Sequence, residues 1–432
     1  MKLLLHVGTE KTGTTAIQRW AARNRKALAA QGVFYSRALG AVNHTKLYLW
    51  CLDPSRADDG YTRAAVTSRT ELESFRSRLP SEFATEVEQA REMQCHTFLI
   101  SNEHCQSRLT SRDEVQRARE FLGPYFEQIE ILCSLRPQVD MAVSLASTAA
   151  KASGRVTEAF FGRVRPDNPY YNYIALYKRW ADVFGPDRIT LVPFRRSPGL
   201  VDFIMRRTDL EQSALEPPLR LNEALDIRVI SMINAIRLER NHGTRRADPF
   251  AHVPMDLLNL LQFEQRLQPG MQLARRVQAR FDNTNSELAR RRSDIMRADL
   301  EPDWTRYDHP ANLDLLEQPC AFAGYLGTLI EMFNERIALL KAQKEMVEAE
   351  RDAAGGDLAR SARHLKMTQR LLSSLRDGAV PANRIGLLEH RVAALGEMLA
   401  AAPKSGTSST GRHAPAGPTR GGHRRRGSKA VA

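Results

Sequence analysis

Lys2-Leu3-Leu4-Leu5-His6-Val7-Gly8-Thr9-Glu10-Lys11-Thr12-Gly13-Thr14-Thr15-Ala16-Ile17-Gln18-Arg19-Trp20 is the stretch that decides the fold. It reads as a short buried strand, a tight loop bounded by two glycines, and the start of a helix. Gly8 and Gly13 permit backbone geometry that other residues resist. Thr14 and Thr15 fall at a helix N-terminus, where unsatisfied N–H groups and the helix dipole favour negative charge. Lys11 adds a mobile cation. The loop is built to hold an anion.

Downstream, apolar runs alternate with helical stretches. A helix over Thr15 to Gln31 precedes a strand at Gly32 to Ser36. Short and long helices follow at Thr45 to Cys51 and at Arg69 to about Met93. His96 to Ser101 reads as a strand ending in Asn102-Glu103-His104, and Ile129 to Leu135 as another, ending in Arg136-Pro137. Helices are expected at Asp113 to Leu122, Gln138 to Ala152 and Tyr173 to Phe184, and a fifth strand at Ile189 to Phe194. Such alternation specifies an α/β domain with a mainly parallel sheet of about five strands. Ligands of such sheets gather at the carboxyl ends of the strands, which puts the loop, Glu103 and Arg136 on one edge. The stretch from Leu219 to about Arg292 reads as helical.

The globular domain is expected over residues 1–310. A helical coiled-coil region follows over 326–400, broken near 355 and 378–383, with Ile330, Phe333, Ile337, Leu340 and Val347 close to a heptad seam. Lys344 and Arg351 also occupy seam positions. Residues 401–432, rich in Gly, Ser, Pro, Arg and Ala, read as a disordered basic tail. The net charge of +13 is concentrated there: the tail has seven Lys/Arg and no Asp or Glu. Beyond a role of the tail at anionic surfaces, the mild basicity elsewhere suits an anionic cofactor or acceptor without demanding DNA.

The apolar fraction of 42% suits a sizeable core. No stretch approaches the ~20 apolar residues of a membrane helix, and the N-terminal run is too short for a signal peptide. The cytoplasm is the expected compartment. The five cysteines are widely spaced and form no cluster with metal-ligand spacing, so no metal site is expected. Cys95 and Cys133, in strand-like runs, read as small buried hydrophobes.

A Walker-type nucleotide loop carries GxxxxGK[ST]. Here Gly8-x-x-x-x-Gly13 keeps the glycine spacing, but Thr14 follows and the lysine stands two positions before Gly13. The third strand ends in Ser101-Asn102 rather than an Asp. Lys11-Thr12-Gly13-Thr14-Thr15 instead resembles the 5′-phosphosulfate loop of the sulfotransferases that use 3′-phosphoadenosine 5′-phosphosulfate (PAPS). Arg136-x₇-Ser144 is similar to the pair with which that family holds the 3′-phosphate. Tyr173 to Phe194 and Phe281-Asp282-x-x-Asn285 look like segments of bacterial carbohydrate-type members. The resemblance covers roughly residues 1–310. One departure is Arg195-Arg196, where many relatives have an acidic residue.

The resemblance implies a P-loop-type three-layer domain with PAPS as co-substrate. It implies cofactor binding by Lys11, Thr12, Gly13, Thr14, Thr15, Arg136 and Ser144, and sulfuryl transfer to a hydroxyl or amine of a carbohydrate-like acceptor. Lys11 would offset charge on the leaving oxygen. Glu103 is the first candidate for general base, with His104 and His44 as alternatives. An atypical P-loop kinase, and a non-catalytic coiled-coil assembly protein with a degenerate nucleotide domain, are the competing readings. The coiled coil would make a homodimer or recruit a partner enzyme.

Overall fold

The computed structural model describes residues 1–151, 155–194, 199–218, 225–240, 265–317, 323–375 and 382–401. Expectations for Arg195-Arg196, for most of 219–264 and for the tail from 402 lie outside the described residues. The chain forms two compact units, Met1–Asn334 and Glu335–Ala432.

In the first unit, β1 (Lys2–Gly8) leads into α1 (Thr14–Arg23), then β2 (Val33–Tyr35), α2 (Arg69–Glu92), β3 (Thr97–Ser101) and β4 (Ile129–Leu135). α3 (Gln138–Lys151), α4 (Tyr173–Phe184) and β5 (Ile189–Pro193) follow. The strands form one sheet in the order β2-β3-β1-β4-β5, and every neighbouring pair is parallel. β1 is the central strand: Leu5 pairs with Ile100 of β3 on one side and with Ile131 of β4 on the other. The strand order reverses at β1, which makes its carboxyl end the place where such sheets open a crevice.

The alternation of side chains along β1 assigns each face. Leu3, Leu5 and Val7 join a core with Phe83 of α2, Val139 of α3 and Trp180 of α4. Leu4 points the other way, into a core with Ile17 and Trp20 of α1. Both faces are covered, which is why the strands read as continuous apolar runs rather than alternating ones. The helix expected over Thr15 to Gln31 is two helices, Thr14–Arg23 and Arg25–Ala30. Asn24 divides them, its side-chain amide donating to the carbonyls of Trp20 (3.0 Å) and Glu216 (3.1 Å). α2 begins with a capping box between Ser68 and Glu71.

The second unit differs from expectation. α5 (Ala323–Ala354) runs into it, and with α6 (Leu358–Ser373) and α7 (Ala382–Ala401) encloses a common core. Leu339, Met346, Leu365, Leu372, Ile385, Leu388 and Val392 fill that core, so the helices pack on one another within the chain. The chain turns back at Gly355-Gly356, where Gly356 has φ +84°. The seam expected from the sequence is not the packing face of α5. Phe333, Leu340 and Val347 are exposed, whereas Ala338, Ala342 and Ala349 are buried. The physical reason is that small residues let helices approach closely, and a search for large apolar residues passes over them.

Among the described residues, no helix is long and apolar enough to cross a membrane. Cys51, Cys95, Cys105 and Cys133 are buried free thiols.

One buried carboxylate ties the fold to the site. Glu86 of α2 accepts hydrogen bonds from the Ser36 hydroxyl (2.5 Å) and from the N–H groups of Arg37 (2.5 Å) and Ala38 (3.1 Å). These bonds fix the turn after β2, which leads to Asn43 and His44. Glu86→Ala leaves those donors unsatisfied and should cost about 1–3 kcal/mol, measured by urea unfolding; an unchanged midpoint would contradict this role.

Candidate active site

The loop after β1 is held by backbone contacts on one side and arginine on the other. The Thr9 N–H and hydroxyl both donate to the Ser134 carbonyl of β4, at 2.7 and 3.0 Å. The Thr12 hydroxyl donates to the Thr9 carbonyl at 2.6 Å, closing the loop on itself. Thr12 is therefore a staple through its side chain. Lys11 and Gly13 adopt left-handed conformations, with φ +64° and +84°. Gly13 stands at the N-cap of α1 and has no side chain with which to cap it. The first turn holds no acidic residue, and Thr14 is buried while Thr15 is half-buried. The positive end of the helix is thus directed at the loop mouth.

Arg136 follows β4 directly. Its Nη1 donates to the Lys11 carbonyl at 2.9 Å, and its guanidinium lies 5.0 Å from the centroid of the Phe194 ring, past the end of β5. A Cβ placed on Gly13 would come within 3.9 Å of that same ring. Arg136, Phe194 and the loop therefore form one corner. Ser144 lies further along α3 and is half-buried. The start of α3 is locked by an amide network. Gln138 and Asn285 exchange side-chain hydrogen bonds of 2.8 and 3.0 Å, and Gln278 donates to Gln138 at 3.1 Å. The Phe281-x₃-Asn285 segment thereby orients the helix that follows Arg136.

Glu103 lies on the opposite side of the loop, past β3. A Cβ on Gly8 would sit 3.2 Å from the Glu103 Cα, so glycine is needed for this approach, the more so at φ +110°. Both carboxylate oxygens are held by neutral amides. Gln18 Nε2 donates to Oε2 at 2.5 Å, and Asn43 Nδ2 donates to Oε1 at 3.1 Å. Gln18 is on α1, one turn beyond Thr14, so the helix that presents its N-terminus to the loop also orients Glu103.

The two histidines differ. His44 is fully buried; its Nε2–H donates to the Ser36 carbonyl (3.0 Å), and its Nδ1 accepts from the Ser101 N–H (3.0 Å). Burial pushes its pKa down to about 3. Both ring nitrogens are committed to backbone, so the expectation that His44 acts as a base is corrected: it joins the 36–44 segment to β3.

His104 Nδ1 forms an ion pair with Glu10 Oε1 at 3.6 Å. Burial works to lower the His104 pKa, but Glu10 and the Glu103 charge outweigh it, and the net shift is upward. Burial likewise works to raise Glu10, yet His104, Ser107 and Tyr170 bring its carboxyl down to about 2. His104 thus favours its cationic form and is a weaker candidate for proton acceptor than Glu103.

The loop, Glu103, His104 and Arg136 are thus together at the carboxyl ends of β1, β3 and β4. Sequence reasoning does not single out Gln18, Asn43, Glu10 or Tyr170 as partners of these groups. Gln18 alone carries a usable signal, lying four residues after Thr14 and hence on the same helix face. Among the described residues, no group of three or more His, Cys, Asp or Glu is arranged to hold a metal ion. Comparison of the chain with family models, curated proteins and solved structures finds no match.

The Glu10–His104 pair has a pH signature. Because the folded pKa of Glu10 is held at about 2 and that of His104 lies above its ordinary 6.5, the pair's contribution is present between 4.5 and 6.5, is lost as pH falls towards 2, and is lost again as pH rises from 6.5 through the raised His104 value. Thermal melts should show wild type losing stability on both sides of that window and Glu10→Gln losing less. Parallel curves would contradict the pairing.

Proposed function

We propose that this protein is a PAPS-dependent sulfotransferase that moves a sulfuryl group to a hydroxyl or amine of a carbohydrate-like acceptor. One observation carries the reading: Arg136 reaches from the end of β4 to the Lys11 carbonyl, at the mouth of a loop that opens onto an uncapped helix N-terminus. The Arg136 guanidinium, the Lys11 backbone and a helix end lie side by side, an arrangement that supports the binding of an anionic nucleotide. The guanidinium fork suits a phosphomonoester dianion. Together with the loop order Lys11-Thr12-Gly13-Thr14-Thr15, this favours PAPS over a nucleoside triphosphate.

In this reading the acceptor oxygen or nitrogen bonds to sulfur as the bond from sulfur to the bridging phosphate oxygen breaks. The acceptor proton goes to Glu103, and the nucleotide leaves as 3′-phosphoadenosine 5′-phosphate. Lys11 offsets the charge that grows on the bridging oxygen, a contribution made mainly in the transition state. The N–H groups at the start of α1, with Thr14 and Thr15, grip the 5′-phosphate. Thr12 serves through its backbone, its hydroxyl being bonded to Thr9. Arg136 holds the 3′-phosphate, with Ser144 further along α3 as its partner.

Gln18 and Asn43 are positioning residues for the base. As neutral donors they fix the orientation of the Glu103 carboxylate without adding a charge beside it. His104, paired with Glu10, steadies the loop instead. The cytoplasm is the proposed compartment, in keeping with an intracellular co-substrate.

Calorimetry with 3′-phosphoadenosine 5′-phosphate tests this. The intact protein should bind it, and Arg136→Ala should weaken binding at least tenfold. Lys11→Ala should lower the rate of sulfuryl release far more than it weakens nucleotide binding. Absence of binding by the intact protein would overturn the reading, and equal losses in rate and binding would remove the role of Lys11 at the leaving oxygen.

A further inference from the structure

Lys11 has φ +64°, a left-handed conformation that a residue with a Cβ rarely adopts. Such a conformation persists where the surrounding structure over-determines it. Two anchors flank Lys11. On its C-terminal side, its own carbonyl accepts from Arg136 Nη1 at 2.9 Å. On its N-terminal side stands Glu10, held through both backbone and side chain. The Glu10 N–H donates to Gln106 Oε1 at 3.4 Å, and its Oε1 lies 3.6 Å from His104 Nδ1. The Ser107 and Tyr170 hydroxyls face the same carboxylate. Gln106 is 1% exposed, and its Nε2 donates to the Tyr170 carbonyl at 2.8 Å. Glu10 is thus tied to the short helix His104–Arg108 and to Tyr170 at once.

On the reading that Lys11 serves sulfuryl transfer, we propose that Glu10 is its positioning residue: anchored at His104, Gln106, Ser107 and Tyr170, it holds Lys11 against Arg136 in the left-handed conformation from which the ammonium is presented. A charge that acts in a transition state is most effective when it is already in place, so that no reorganisation accompanies the reaction. A lysine side chain is long and flexible, and a fixed backbone at least sets the direction in which it starts. The rest of the loop is held by other bonds. Thr9 is fastened to Ser134 and Thr12 to Thr9, and neither bond involves Glu10. The start of α1 and the Arg136 guanidinium therefore keep their supports when Glu10 is removed. Loss of the anchor should consequently separate rate from nucleotide binding.

Amide hydrogen exchange of the full chain without nucleotide tests the anchor directly. Glu10→Ala should speed exchange over residues 8–15 roughly tenfold and leave residues 97–101 of β3 unchanged, which also shows that the variant folds. Ser107→Ala/Tyr170→Phe removes two of the donors, keeps Glu10, and should act in the same direction. In urea, Lys11→Gly should unfold at a higher concentration than Lys11→Ala, because only glycine takes φ +64° without cost. With saturating PAPS, Glu10→Ala should slow sulfuryl release roughly tenfold. The same change should weaken binding of 3′-phosphoadenosine 5′-phosphate less than about threefold. Unchanged exchange in both variants, an Ala variant at position 11 as stable as the Gly variant, or equal losses of rate and affinity would overturn the role of Glu10. Absence of nucleotide binding by wild type would instead overturn the sulfotransferase reading, and exchange and urea unfolding would still decide whether Glu10 holds Lys11.

Discussion

The approach of Gly8 to Glu103 is the constraint on which the candidate site depends. A Cβ on Gly8 would lie 3.2 Å from the Glu103 backbone, tighter than ordinary contact, at a φ of +110° that itself favours glycine. Closeness of this kind brings the loop after β1 and the acidic turn after β3 together at one edge of the sheet. Thr9 fastens the loop to β4 through Ser134, and Gln18 reaches from α1 to the Glu103 carboxylate. Loop and carboxylate are therefore parts of one braced assembly. Gln18 thus links the position of α1 to the orientation of Glu103.

Electrostatics divides the labour among groups that look alike in the sequence. Glu10 and Glu103 are both half-buried at one sheet edge, yet Glu10 faces His104 while the Glu103 oxygens are held by amide donors. The first is thereby committed to a structural ion pair, and the second keeps its charge uncancelled by those donors. His44 and His104 separate in the same manner. Two backbone bonds and full burial hold His44 neutral, and neighbouring carboxylates hold His104 toward its cationic form.

Much of this is legible in the sequence because local pattern and tertiary role agree there. The runs Leu3-Leu4-Leu5, Ile129 to Leu135 and Ile189 to Pro193 are apolar enough for strands covered on both sides, and each is a strand of the sheet. Glycines at 8 and 13 announce positive φ, and both have it. What is not legible depends on contacts between residues far apart. Nothing local to His44 announces that Ser36 and Ser101 will occupy both its nitrogens, and nothing local to Asn43 points to Glu103. The large residues of α5 mark a heptad on its outer face. Its chain-internal core is a stripe of alanines with Leu339 and Met346, which a pattern of large apolar residues does not reveal.

The crevice between β1, β3 and β4 is proposed to serve sulfuryl transfer rather than phosphoryl transfer. The most direct measurement is incubation of the full chain with radiolabelled PAPS and a panel of sugar, lipid and phenol acceptors in the presence of a metal chelator. Label should appear on a hydroxyl or amine acceptor, with transfer reduced by Glu103→Gln. Magnesium-dependent ATP turnover with no transfer of label from PAPS to any acceptor would contradict the sulfuryl-transfer reading.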